Sequence, residues 1–210
     1  MNYEDKIERI RTILESIEPN TVTVLTGSNG SGKSLVRKQC CFNLSRKIPG
    51  TDYRTLTADV SMQKRTENNP YLGALCSFMH DDADSPTSLS TYQFINTLFN
   101  TFLKEDKQKR YLIIDEPEIG MSKESQLGFM QFLKKRLPEV LEYTHGLLII
   151  THSEIVVNEL KEIATFLNMD SDMTADEWIN REIIPTDFEE LDKNSYGLYQ
   201  AINARSKKNK

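Results

Sequence analysis

Gly27-Ser-Asn-Gly-Ser-Gly-Lys-Ser34 lies between a β-branched run, Thr21–Thr26 (TVTVLT), and a segment that reads as a helix from Ser34 to about Lys47. The octet fits G-x-x-x-x-G-K-[ST], and each part of that pattern has a physical task. Gly27, Gly30 and Gly32 allow backbone turns that a Cβ would obstruct. Successive N–H groups, from Ser28, Asn29 and Ser31 through to Leu35, can then face inward around a phosphate. The helix that starts there adds the positive end of its dipole. Lys33 supplies a cation for the β- and γ-phosphates, and the Ser34 hydroxyl is suited to Mg²⁺. The expected ligands are ATP and Mg²⁺.

Working outward, Tyr111–Asp115 (YLIID) and Gly146–Thr151 (GLLIIT) read as apolar strands, and Arg54–Met62 and Ala164–Met169 as two more. Between them lie helical patterns over residues 4–17, from Ser90, the candidate cap, to about Leu103, over 123–143 with a disturbance at Pro138, and over 153–161. Pro19-Asn20 and Pro49-Gly50 close the first two helices. Strands apolar on both faces that alternate with helices predict an α/β fold. It is expected to be a P-loop NTPase with a mostly parallel central sheet flanked by helices. A single domain over 1–210 is expected, with a small helical insertion at about 64–105 and a helical appendix at about 174–210. Trp178 and Tyr199 of that appendix are candidates to pack back on the core.

The strand 111–115 ends in Asp115-Glu116-Pro117-Glu118. In open α/β sheets the carboxyl ends of strands face the ligand crevice. Neighbouring carboxylates on a strand point in different directions. Asp115 is therefore read as a Mg²⁺ ligand and Glu116 as the base that orients and deprotonates the attacking water.

GSNGSGKS, then IIDEPE, then a second apolar strand ending in Thr151-His152-Ser153, resembles the ATP-binding cassette (ABC) ATPases. The order matches their Walker A, Walker B with catalytic glutamate, and switch histidine. The resemblance spans roughly residues 21–169. It implies a head-to-tail homodimer with ATP at the interface, and His152 in contact with the γ-phosphate and water. Gln63 resembles the Q-loop glutamine near Mg²⁺ and water. The signature LSGGQ has its nearest counterpart in Leu89-Ser-Thr-Tyr-Gln93, where Ser90 would serve a partner's γ-phosphate and Thr91-Tyr92 replace two glycines. The run DEPEIG looks like the non-transport branch of recombination, chromosome maintenance and phage defence, which includes the overcoming-lysogenization-defect ATPases. The expected function is an ATPase whose nucleotide-driven dimerisation acts on a separate effector. A transporter's nucleotide-binding subunit and a clamp with little turnover are the alternatives, and a small-molecule kinase lacks an evident acceptor site.

Composition limits the rest. With 38% hydrophobic and 27% charged residues the chain is globular in balance. No apolar run nears the roughly 20 residues of a membrane helix, and the polar start MNYEDKIERIR has no secretory pattern, so a cytoplasmic location without membrane insertion is expected. Net charge of −5, from 26 basic and 31 acidic residues, gives no whole-chain argument for nucleic acid. Cys40, Cys41 and Cys76 fit no metal spacing. Tyr3 is a candidate for stacking on adenine by position alone. Asp170-Ser-Asp172 reads as a solvated acidic turn, because the stretch from 173 to 210 is too short for a nuclease domain that would use a D-x-D pair.

Overall fold

The computed structural model describes residues 3–48, 57–61, 87–104, 109–185 and 187–189. Its frame is a five-stranded sheet whose neighbours all pair in parallel. The strands are β1 (Val22–Thr26), β2 (Thr57–Ser61), β3 (Tyr111–Asp115), β4 (Leu147–Ile150) and β5 (Thr165–Asn168), in the spatial order β2-β3-β4-β1-β5. The helices are α1 (Tyr3–Ser16), α2 (Lys33–Lys47), α3 (Thr87–Lys104), α4 (Lys123–Tyr143), α5 (Glu154–Leu160) and α6 (Ala175–Ile179).

Successive residues of a strand face opposite sides, so an all-apolar strand needs a cover on each. One hydrophobic cluster joins Val22, Val24, Leu112, Ile114, Leu147 and Ile149 to side chains of α3, α4, α5 and α6. The other joins Leu25, Ile113, Leu148 and Ile150 to Ile10, Ile13 and Ile17 on the α1 side and Val36, Cys40 and Leu44 of α2. The result is three layers, helix on sheet on helix. Trp178 of α6 is 4% exposed and belongs to the first cluster, as its expected packing requires. Tyr199 and Gln63 lie outside the described residues.

Two local expectations are corrected. α4 runs through Pro138 without a break. Pro138 lies on an exposed face, while Leu133, Leu137 and Val140 of the same helix are buried, and that packing outweighs the missing donor. α3 begins at Thr87, so Ser90 is its fourth residue and not its cap. Leu89-Ser-Thr-Tyr-Gln93 thus lies within the helix: Thr91 is buried, while Tyr92 is exposed with its ring edge-on to Phe132 at 4.8 Å. Helical periodicity, which drives Thr91 into the core, decides this against a loop-like signature.

Candidate functional site

The order β3-β4-β1 places three loops side by side at the carboxyl edge of the sheet: the one leaving β1 (27–32), the one leaving β3 (116–122) and the one leaving β4 (151–153). The candidate site is built from these loops, from α2, and from the turn and helix after β5.

The β1 loop has the backbone its glycines predict. Gly27 has φ 151° and a Cβ there would sit 2.6 Å from Met169 Cβ and 2.8 Å from Ser31 Oγ. Gly32 has φ 111°, and its Cβ would meet Ile10 Cδ1 at 2.9 Å. Both left-handed conformation and close packing therefore demand glycine. The Leu35 and Val36 amides both close on the Gly32 carbonyl, at 2.9 and 3.1 Å. The Lys33 and Ser34 amides precede the helix's own ladder and can face an anion, whereas the Ser31 amide closes on the Ser28 carbonyl and the Ser28 amide, expected in the cradle, donates to Asp170. Lys33 is 9% exposed, and its Nζ donates to the carbonyls of Gly27 (2.8 Å) and Ser28 (2.9 Å). Burial lowers its pKa, against the raising influence of Asp170, Glu116 and Asp115. Ser34 is exposed in the first turn of α2.

Asp115 ends β3 with its side chain 15% exposed and its Oδ2 2.9 Å from Arg37 Nη1. Arg37 stands one turn beyond Ser34 on α2, so the ion pair fixes Asp115 within side-chain reach of the start of that helix. Among the described residues no group of three or more His, Cys, Asp or Glu could hold a metal. The donors present are one carboxylate and one hydroxyl. That set suits Mg²⁺ held jointly with phosphate oxygens and water, and does not suit a resident metal cage.

Glu116 is a non-glycine residue at φ 55°. Such a conformation costs about 1–3 kcal/mol and persists only where surroundings impose it. Here the Glu116 amide still donates to the Ile150 carbonyl at 2.8 Å, extending the β3–β4 ladder by one residue. The chain then turns sharply, and Glu116 Oε1 lies 3.5 Å from His152 Nε2. Burial first, then Lys33, lower the His152 pKa, which favours the neutral ring; Glu116 and Asp170 oppose them.

His152 is held by a residue the sequence reading passed over. Glu118 Oε1 accepts from the His152 amide and from Thr151 Oγ1, each at 2.8 Å. Ser153 caps α5, accepting from the Val156 amide at 3.3 Å, while its hydroxyl donates to Gln126 Oε1 at 2.6 Å. Burial raises the Glu118 pKa against those hydrogen bonds. The second E of DEPE is the only sequence cue for this clamp.

The acidic turn after β5 is also more than solvated. Asp170 accepts from the Ser28 amide (2.6 Å) and Ser28 Oγ (2.8 Å), 142 residues away. Beside it lies a cavity of about 290 Å³ lined by Ser28, Asn29, His152, Asp170, Trp178 and Arg181, among others. The Arg181 guanidinium lies 3.9 Å from the centre of the Trp178 ring. Thus the structure brings together Gly27–Leu35, Asp115, Glu116 and His152. Ser90 belongs to α3, which packs on α4, and Gln63 is outside the described residues.

The fold is that of a P-loop NTPase, and loops of this build hold nucleotide phosphates. No helix among the described residues is long and apolar enough to cross a membrane. No family model matches the chain. No curated protein matches it either. Among solved structures it is similar to one of Drosophila ORC bound to AT-rich DNA and Cdc6, at 13% identity and TM-score 0.38, over 86% of this chain and 58% of that one. A second, of Drosophila ORC bound to GC-rich DNA and Cdc6, shows 15% identity and TM-score 0.36, over 99% of this chain and 70% of that one. The chain therefore spans 58% of the first of these, and likeness at this level says nothing of activity.

Proposed function

We propose that this protein is an ABC-type ATPase of the non-transport branch, in which ATP closes a homodimer and hydrolysis reopens it to act on a separate effector. The observation that carries the hydrolytic part is the meeting of Glu116 and His152 at 3.5 Å on adjacent strand ends, one strand from the phosphate loop. A strained glutamate against a histidine kept neutral is an arrangement for handling a proton.

In this reading the β- and γ-phosphates lie on the amides of Gly32, Lys33 and Ser34, with Lys33 turned from the Gly27 and Ser28 carbonyls toward them. A water attacks the γ-phosphorus in line with the leaving ADP oxygen. Its proton passes to Glu116, which neutral His152 holds in orientation from the β4 side. Ser34 and Asp115 would hold Mg²⁺, which would supply positive charge against the phosphates. Arg37 stands 2.9 Å from Asp115 and keeps that carboxylate aimed at α2. Homodimer formation and the effector rest on the family resemblance alone, and a cytoplasmic setting on the polar start and the lack of a membrane-length apolar run in the sequence.

The test uses the Glu116→Gln chain. It is expected to retain ATP with Mg²⁺ while phosphate release falls by about 10²–10⁴-fold, and light scattering is expected to give twice the monomer mass. Failure of wild-type and variant protein alike to retain ATP would remove the ATPase reading. Retention with a strictly monomeric mass would remove the dimer.

A further inference from the structure

We infer that Asp170 is a positioning residue of the phosphate loop: it holds Ser28, and through the Ser28 carbonyl it sets where Lys33 waits for the nucleotide. The inference rests on the ATPase reading for its kinetic consequence, but its structural part stands without it.

Every polar group of Ser28 is engaged. Its amide and hydroxyl donate to the two oxygens of Asp170 at 2.6 and 2.8 Å. Its carbonyl accepts from Lys33 Nζ at 2.9 Å and from the Ser31 amide at 3.2 Å. A residue held at both ends fixes the path of the loop between Gly27 and Ser31. Charge-assisted bonds from a carboxylate to a backbone amide are short and about twice as strong as neutral ones.

Asp170 is itself built in. Its amide donates to Asn168 Oδ1 at 2.8 Å, and the Ser171 amide joins at 3.1 Å. Asn168 is 2% exposed, and its Nδ2 donates to Thr26 Oγ1 at 2.9 Å, on the last residue of the strand that leads into the loop. From the other side Arg9 of α1 reaches the turn. Its Nη2 donates to the carbonyls of Asn168 and Ser171, each at 2.5 Å, and its Nη1 meets the Asp172 carboxylate. The turn is thus tied to β1, β5 and α1 together, and Asp170 passes that rigidity to a loop residue whose carbonyl holds the lysine.

Because Asp170 acts on the waiting loop and not on the reacting atoms, its loss is expected to weaken nucleotide capture and leave turnover intact. Full-length wild type, Asp170→Ala, Asp170→Asn, Ser28→Ala and the Asp170→Ala/Ser28→Ala double variant are compared. Two readouts are used: steady-state phosphate release with MgATP, and amide hydrogen exchange over residues 27–31 without nucleotide. Asp170→Ala is expected to raise KM about tenfold with kcat within about twofold. Asp170→Asn, which keeps one acceptor oxygen, is expected to fall between. Ser28→Ala is expected to add nothing once Asp170 is gone. Exchange over 27–31 is expected to quicken about tenfold in Asp170→Ala, whether or not the protein turns out to hydrolyse ATP. Unchanged exchange overturns the inference, as does tighter ATP binding in both Asp170 variants, which would make the carboxylate a repelling charge. A fall in kcat at constant KM overturns it too.

Discussion

At the scale of single residues, the groups that sequence makes plain are those whose job depends on local spacing. Lys33, Ser34, Asp115 and Glu116 belong to two short runs, and strand and loop bring them to one edge as the spacing implies. Glu118, Asp170 and Arg37 depend instead on which distant groups they meet. Nothing in the composition of residues 168–172 says that Asp170 will face an amide 142 positions earlier. Glu118 yields the sharpest expectation here. Glu118→Gln keeps an acceptor oxygen for Thr151 and the His152 amide, whereas Glu118→Ala releases both. Displacing a catalytic group by about 1 Å can cost on the order of 100-fold in rate. Phosphate release is therefore expected to fall by about that factor in Glu118→Ala and by much less in Glu118→Gln. A pH signature accompanies this. Burial raises the Glu118 pKa, so its protonated form is favoured by folding, and its contribution is present at low pH and lost as pH rises through the folded value. Glu118→Gln lacks that loss. Its stability relative to wild type is expected to increase as pH rises above the ordinary carboxyl value of 4.5, as read from urea midpoints.

At the scale of elements, β1, β3 and β4 are legible because four- and five-residue runs rich in apolar and β-branched residues between turn signals leave few other choices. Helix boundaries are less so. The disturbance expected at Pro138 does not interrupt the helix, because three buried side chains of α4 hold it on both sides of that residue. Ser90 is displaced from its expected capping role because periodicity alone does not mark where a helix starts. Pro138 still leaves the Lys134 carbonyl without an intrahelical donor and crowds it. The site is exposed, so replacing the ring alters helix energetics and little else. An interior proline costs about 3 kcal/mol relative to alanine, offset by up to about 1 kcal/mol because proline restricts the unfolded chain. Pro138→Ala is expected to raise unfolding free energy by about 2–3 kcal/mol in urea titration, with nucleotide binding unchanged.

At the scale of the molecule, the three-layer arrangement follows from the central strands β3 and β4, which are apolar on both faces, and the sheet order does the rest. By putting β4 between β1 and β3, it makes the histidine loop a neighbour of both motif loops. No local pattern specifies that order; it comes from how the crossing helices divide between the two faces, α1 and α2 on one and α3 to α6 on the other.

Cys40 turns that layering into a clock. Its thiol is fully buried under α2, the helix that opens with the phosphate loop. A disulfide reagent can reach it only when that layer lifts from the sheet. In a Cys41→Ser/Cys76→Ser background, Cys40 is expected to react slowly, at a rate set by the population of lifted molecules. A ligand that binds only the closed form at 100 times its Kd stabilises it by about 2.7 kcal/mol. MgATP at that excess is then expected to retard labelling about 100-fold, so one sulfur would report occupancy of a loop it never touches.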